Sequence, residues 1–97
     1  MEIIMNKDGK KLTMAISGRV DTTTAPELEE KIDEIGEINE LVLDFADVEY
    51  ISSAGLRVIL KAQKLMNTLG GMKLINVSED VLEVFDITGF TDILTIE

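Results

Sequence analysis

The sequence has no cysteine and no histidine among its 97 residues. Without cysteine there is no disulfide, thiolate zinc site or thiol nucleophile. Without histidine, the commonest general base and the commonest transition-metal ligand are both missing. Tryptophan is absent and aromatic residues amount to 4 %, so a core has to be built mainly from Ile, Leu, Val and Met. Positive charge is scarce as well: 9 Lys and Arg stand against 19 Asp and Glu, a formal net charge of −10. That balance repels nucleic acid and anionic membrane surfaces and favours a basic partner, although acidity also serves solubility alone. No apolar run approaches the ~20 residues of a membrane span. The N-terminus lacks the basic segment and long apolar stretch of a signal peptide. A cytoplasmic protein is the expectation.

What remains is rich in aliphatic residues, with 45 % hydrophobic overall. The length suits a single domain spanning 1–97. Glu2 to Asn6 is a strand candidate, followed by an Asp8-Gly9 hairpin turn. Lys11 to Gly18 alternates at period two, with Leu12, Met14 and Ile16 on one side and Thr13, Ala15 and Ser17 on the other. Thr24-Ala25-Pro26-Glu27 reads as a capping box opening a helix that carries Leu28, Ile32 and Ile35 inward and stops at Gly36. Leu41 to Phe45 is nearly continuous in apolar residues, as a strand covered on both faces would be. A long helix from near Ser53 follows, with Leu56, Ile59, Met66 and Leu69 as its buried stripe and Gly70-Gly71 as its stop. Met72 to Val77 is a strand, and Ser78 caps a short helix containing Val81, Leu82 and Phe85. Ile87 to Asp92 is a connection, and Ile93 to Ile96 a final edge strand.

The order β-β-α-β-α-β-α-β implies an α/β fold. Strands alternating with helices pair in parallel through right-handed crossovers. The expectation is a small mixed, mainly parallel sheet of about five strands, with an antiparallel N-terminal hairpin and helices mainly on one face. Sites in such sheets lie beyond the carboxyl ends of the parallel strands. Here that rim collects Asp21, Asp47 and the Ser52-Ser53 pair. Plain helix capping explains one serine. It leaves Gly55, which costs ~1 kcal/mol against alanine inside a helix, to be explained by close approach of a partner or close packing onto a strand. The carboxylates show no spacing for acid–base work or for a specific metal site, and no phosphate-binding glycine loop is present. An enzyme is therefore the least favoured class, and no cofactor is expected.

Val48-Glu49-Tyr50-Ile51-Ser52-Ser53-Ala54-Gly55-Leu56-Arg57-Val58-Ile59-Leu60, together with the order of elements, resembles the STAS domain, and more narrowly the bacterial anti-sigma factor antagonists. Gly18-Arg19-Val20-Asp21 resembles that family's Gly-x-x-Asp at the end of the second strand, and Leu41 to Asp44 its apolar central strand. The family's switch motif is Asp-Ser-Ser/Thr-Gly-Leu, whose first serine is phosphorylated; laid on Gly55-Leu56, that serine is Ser53. Ser52 stands where the family has Asp, and Ala54 where it has its second hydroxyl. The resemblance implies a partner-switching regulator. The unmodified form would bind an anti-sigma factor that is also a serine kinase, and so release a sigma factor for transcription. Phosphorylation of Ser53 would end the binding and a phosphatase would restore it. Ser52, Ala54, Gly55, Leu56 and Arg57 would then form the contact surface, with Asp21, Thr22 and Thr23 as the adjoining rim. The protein would be a monomer or weak dimer. A STAS module that binds a regulatory protein or small ligand without phosphorylation is the alternative.

Overall fold

The computed structural model describes residues 1–97. Its elements are β1 (Glu2–Asp8), β2 (Lys11–Val20), α1 (Ala25–Asp33), β3 (Glu40–Ile51), α2 (Ser53–Leu69), β4 (Gly71–Ile75), α3 (Glu79–Thr88) and a 3-10 turn at Phe90–Asp92. The sheet order is β1-β2-β3-β4. β1 and β2 pair antiparallel, whereas β2 with β3 and β3 with β4 pair parallel. Leu12, Met14 and Ile16 are buried as their alternation requires, and Thr13, Ala15 and Ser17 on the opposite face are partly exposed. The helices cover the first of these faces. Leu28, Ile32, Ile59, Ala62, Met66 and Phe85 join the strand residues in one apolar cluster, and Phe45 meets Phe85 with ring centroids 6.2 Å apart.

The sheet has four strands, not five. Ile93 to Ile96 contributes only an isolated bridge between Leu74 and Ile96. The chain turns at Phe90–Asp92, Ile93 N and Leu94 N close back onto Phe90 O, and the segment meets β4 only through Leu74 N to Thr95 O, 2.9 Å, and Glu97 N to Leu74 O, 2.9 Å. The expected Ile87–Asp92 connection is largely helical instead: Ile87 and Thr88 belong to α3, and Phe90–Asp92 form the 3-10 turn. α3 runs through Ile87, which is 77 % exposed, and ends on Gly89 at φ 81°, a left-handed cap that glycine reaches without steric penalty. At the end of α2, Leu69 is 41 % exposed rather than buried, while Ala62 and Gln63 occupy the inward positions. α1 ends at Asp33, a few residues ahead of Gly36.

β3 is far longer than its apolar core. Its register with β2 slips between Ala15 and Ser17 and again between Gly18 and Arg19. At each slip β3 carries one extra residue, a β-bulge that reverses which parity of side chains faces inward. Leu41, Leu43 and Phe45 point to the core; after the first bulge Val48 does, and after the second Ile51. This stepping brings Ile51 level with Val20 at the end of β2 and sets the junction that follows.

Candidate functional site

Two chain segments leave the sheet together at the Val20–Ile51 pair. One runs through Asp21 into α1 and the other through Ser52 into α2. Ser52 N donates to Val20 O at 2.9 Å, which ties the two exits to each other.

The first exit is closed by its own side chains. Asp21 Oδ1 accepts from Thr23 N (3.0 Å), Thr23 Oγ1 (2.8 Å) and Thr24 N (3.2 Å). Thr24 Oγ1 accepts from Asp21 N at 2.9 Å and donates to Arg19 O at 2.7 Å. Ala25 N donates to Asp21 O at 2.7 Å. Asp21 therefore caps the turn that leads into α1, and the expected Thr24–Glu27 capping box does not form. The Thr23 hydroxyl, together with the Thr23 and Thr24 N–H groups and the Thr24 hydroxyl, holds the Asp21 carboxyl below its ordinary value, against an opposing push from partial burial. Arg19 lies 3.5 Å from Asp21 Oδ2 and stacks over the Tyr50 ring at 4.3 Å.

The second exit is open. Ser52 occupies the cap position with φ −100° and ψ 178° but makes no side-chain cap bond. Its Oγ is buried and has no hydrogen-bond partner. Only Leu56 N closes back, onto Ser52 O at 2.9 Å; the N–H groups of Ser53, Ala54 and Gly55 have no acceptor within the protein. Ser53 is exposed at the first position of this 17-residue helix. Its hydroxyl thus sits where free N–H groups and the dipole favour an anion.

Gly55 is explained by packing. A Cβ there would lie 2.8 Å from Ile51 Cγ1, 2.8 Å from Val20 Cγ1 and 2.9 Å from Val20 O. Glycine lets the first turn of α2 rest directly on both strand ends. Gly55 and Leu56 are accordingly buried and seat the helix from within, while Arg57 is exposed and Ala54 partly so. Ala54 and Arg57 meet Thr22 across a groove of about 250 Å³ between the starts of α1 and α2, shared with Ala25, Pro26, Glu29 and Val58. Thr22 and Thr23 are both exposed, but the Thr23 hydroxyl is taken by Asp21. Pro26 and Glu29, which complete this groove, carried no sequence signal beyond helix initiation.

Asp47 does not join this group. It lies within β3 opposite Ser17, three residues short of the Val20 level, or about 10 Å along the strand. There it borders a pocket of about 80 Å³ on the helix-free face with Glu2, Ala15 and Asp44. Asp44 is occupied by bonds from Ala46 N (3.0 Å) and Asn76 Nδ2 (3.1 Å). No three His, Cys, Asp or Glu side chains are grouped to hold a metal ion, and no helix is long and apolar enough to cross a membrane.

The STAS domain family matches residues 2–97. This chain belongs to the STAS domain family. Within it, the anti-sigma-B factor antagonist of Bacillus subtilis is 34 % identical over 98 residues, covering 99 % of this chain and 90 % of that protein. The anti-sigma-B factor antagonist of Listeria monocytogenes is 31 % identical, covering 97 % and 85 %. By homology the chain stands with the anti-sigma factor antagonists. Among solved structures, SpoIIAA in its unphosphorylated form superposes with a TM-score of 0.84 at 17 % identity, over 99 % of this chain and 88 % of that one. An anti-sigma factor antagonist from Mycobacterium paratuberculosis gives 0.89 at 21 % identity, over 98 % and 83 %. These two likenesses establish the STAS fold.

Proposed function

We propose that this protein is an anti-sigma factor antagonist that binds an anti-sigma factor acting also as a serine kinase, and that phosphorylation of Ser53 ends the binding. The observation that carries the reading is the contrast within the serine pair: the Ser53 side chain is exposed at the helix start, whereas Ser52 Oγ is buried. A kinase reaches the first and not the second. A phosphate adds about −1.5 to −2 charge and three strong acceptor oxygens. On this protein the added group faces the unbonded N–H groups of Ser53, Ala54 and Gly55, so the fold tolerates it. In a complex the same group brings bulk and a desolvation penalty at the contact, and the partner is lost. SpoIIAA, solved in both unphosphorylated and phosphorylated forms, shares the fold in each, which supports the fold's tolerance of a phosphate. A phosphatase resets the switch, and the exchange controls availability of a sigma factor. The protein acts by binding, and the chemistry belongs to its partners.

Incubation with the cognate kinase and ATP, followed by phosphosite mapping, tests the reading. Label on Ser53 is expected; label elsewhere, or none, removes Ser53 as the switch. The second reading, a STAS module that binds without phosphorylation, rests on Ser52 and Ala54 in place of the family's Asp and second hydroxyl. Pull-downs of wild type, Ser53→Ala and Ser53→Asp separate the two. Loss of binding in Ser53→Asp alone supports the switch, and equal binding by all three supports the second reading.

A further inference from the structure

The cations near the switch differ in what they already hold. Arg19 is committed to Asp21 and to the Tyr50 ring. Lys61 is committed to Asp33 at 3.0 Å and Glu29 at 3.9 Å, which keeps its ammonium protonated above the ordinary lysine range. Arg57 has no ion pair in the structure. It is exposed and stands four residues after Ser53 on the same helix. Residues at i and i+4 share a helix face, and an acid placed N-terminal to its base is the favourable order. The guanidinium fork matches two phosphate oxygens at once, which a lysine does not.

We infer that Arg57 is the internal ligand of a phosphate carried by Ser53, so that modification turns this guanidinium from the groove shared with Thr22 and Ala54 onto the first turn of its own helix. The inference rests on the phospho-switch reading above and adds a second element to it. In the unmodified protein Arg57 is a free cation on the rim, available to a partner's carboxylate. In the modified protein it is the counter-ion of the phosphate. The partner then loses a cationic contact in the same event that introduces the bulk and charge at Ser53. Arg57 also shields Asp21 and Glu29 from the new charge. Asp21 follows Val20 at the junction and Glu29 lines the groove with Arg57, and both already have partners.

The test needs neither kinase nor partner. Full-length protein carrying phosphoserine at position 53, installed during translation, is titrated by phosphorus NMR beside the same protein with Arg57→Gln and with Arg57→Lys. Free phosphoserine has its second pKa near 6. With Arg57 present the phosphate is expected to titrate lower than in Arg57→Gln by about 0.2–0.4 unit, the worth of an exposed i,i+4 pair. Arg57→Lys is expected to fall between the two, and 0.5 M NaCl to narrow the gap. Identical titrations in all three proteins overturn the inference and leave the helix N–H groups as the phosphate's only ligands. That failure is distinct from failure of the switch reading: label on Ser53 with no effect of Arg57 keeps the switch and removes only this clamp. Because Arg57 is exposed and unpaired, the unmodified Arg57→Gln protein is expected to melt with wild type, which separates a ligand from a structural prop.

Discussion

The starts of α1 and α2 lie side by side, one after Val20 and the other after its sheet neighbour Ile51, and they are built in opposite ways. At α1 the Asp21 carboxylate and the Thr24 hydroxyl take up the free backbone groups of the turn. At α2 a serine stands in the cap position, yet its hydroxyl is turned inside and bonds to nothing. α3 gives the ordinary case, with Ser78 Oγ accepting from Val81 N at 3.3 Å. Only α2, the longest helix, is left unfinished. On the reading proposed above, one start is closed for stability and its neighbour on the same rim is left open for a phosphate. Asp21 shapes a fixed wall; Ser53 stands in front of free donors.

The most severe way to break this comparison is to lift the open start off its seat. Gly55→Ala places a methyl group within 3.0 Å of Ile51, Val20 and the Val20 carbonyl. Alanine gains ~1 kcal/mol in helix propensity over glycine, but overpacking against backbone costs about 1–3 kcal/mol. With a carbonyl among the obstructed atoms, a net loss of about 1–2 kcal/mol is expected in urea denaturation. Partner binding should weaken as well, because Ser53 moves with the helix. An unchanged midpoint would mean that the first turn of α2 is not held against the strand ends.

A smaller effect is expected at the closed start. Asp21→Asn keeps the shape but weakens the acceptor for the Thr23 and Thr24 N–H groups and the Thr23 hydroxyl, and the melting temperature is expected to fall by about 3–5 °C. The pH dependence fixes the sign. The folded carboxyl titrates below its ordinary value, first because of the Thr23 hydroxyl. Its contribution is therefore fully present above the ordinary carboxylate range and is lost as pH falls through the lowered folded value. Wild type and Asp21→Asn should differ at neutral pH and converge in acid. A gap that stays constant down to pH 2 would assign the loss to something other than this carboxylate.

How much of this was legible depends on how far each feature depends on local sequence. The alternation of Leu12, Met14 and Ile16 marks a half-buried strand without outside help, and Ser78 before Glu79-Asp80 marks a helix start. β3 is harder to read, because its two bulges change parity and the pattern after Phe45 looks like loop. The same bulges set where Ile51 ends, and so where the two following serines sit, which residue type alone does not reveal. Ile93 to Ile96 has strand composition, but the turn before it limits it to one bridge. Asp21 reads as a solvated loop carboxylate until the turn it caps is seen. Gly55 was conspicuous in sequence, but choosing between a partner and a strand as its neighbour needed Val20 and Ile51 in place.

The finest test of the comparison sets two cap serines against each other. Ser78→Ala removes a working cap and is expected to cost about 1 kcal/mol. Ser52→Ala removes a buried hydroxyl that has no partner. An unsatisfied buried polar group is itself unfavourable, and its removal is neutral or stabilising by up to about 1 kcal/mol. The two substitutions are chemically identical, both fall at helix cap positions, and their effects should differ in size and even in sign. Denaturation midpoints of both variants, measured with wild type under one set of conditions, decide it. If Ser52→Ala loses as much as Ser78→Ala, then Ser52 caps α2 in solution, the start of that helix is capped like its neighbours, and one of the N–H groups assigned to a phosphate on Ser53 is already taken.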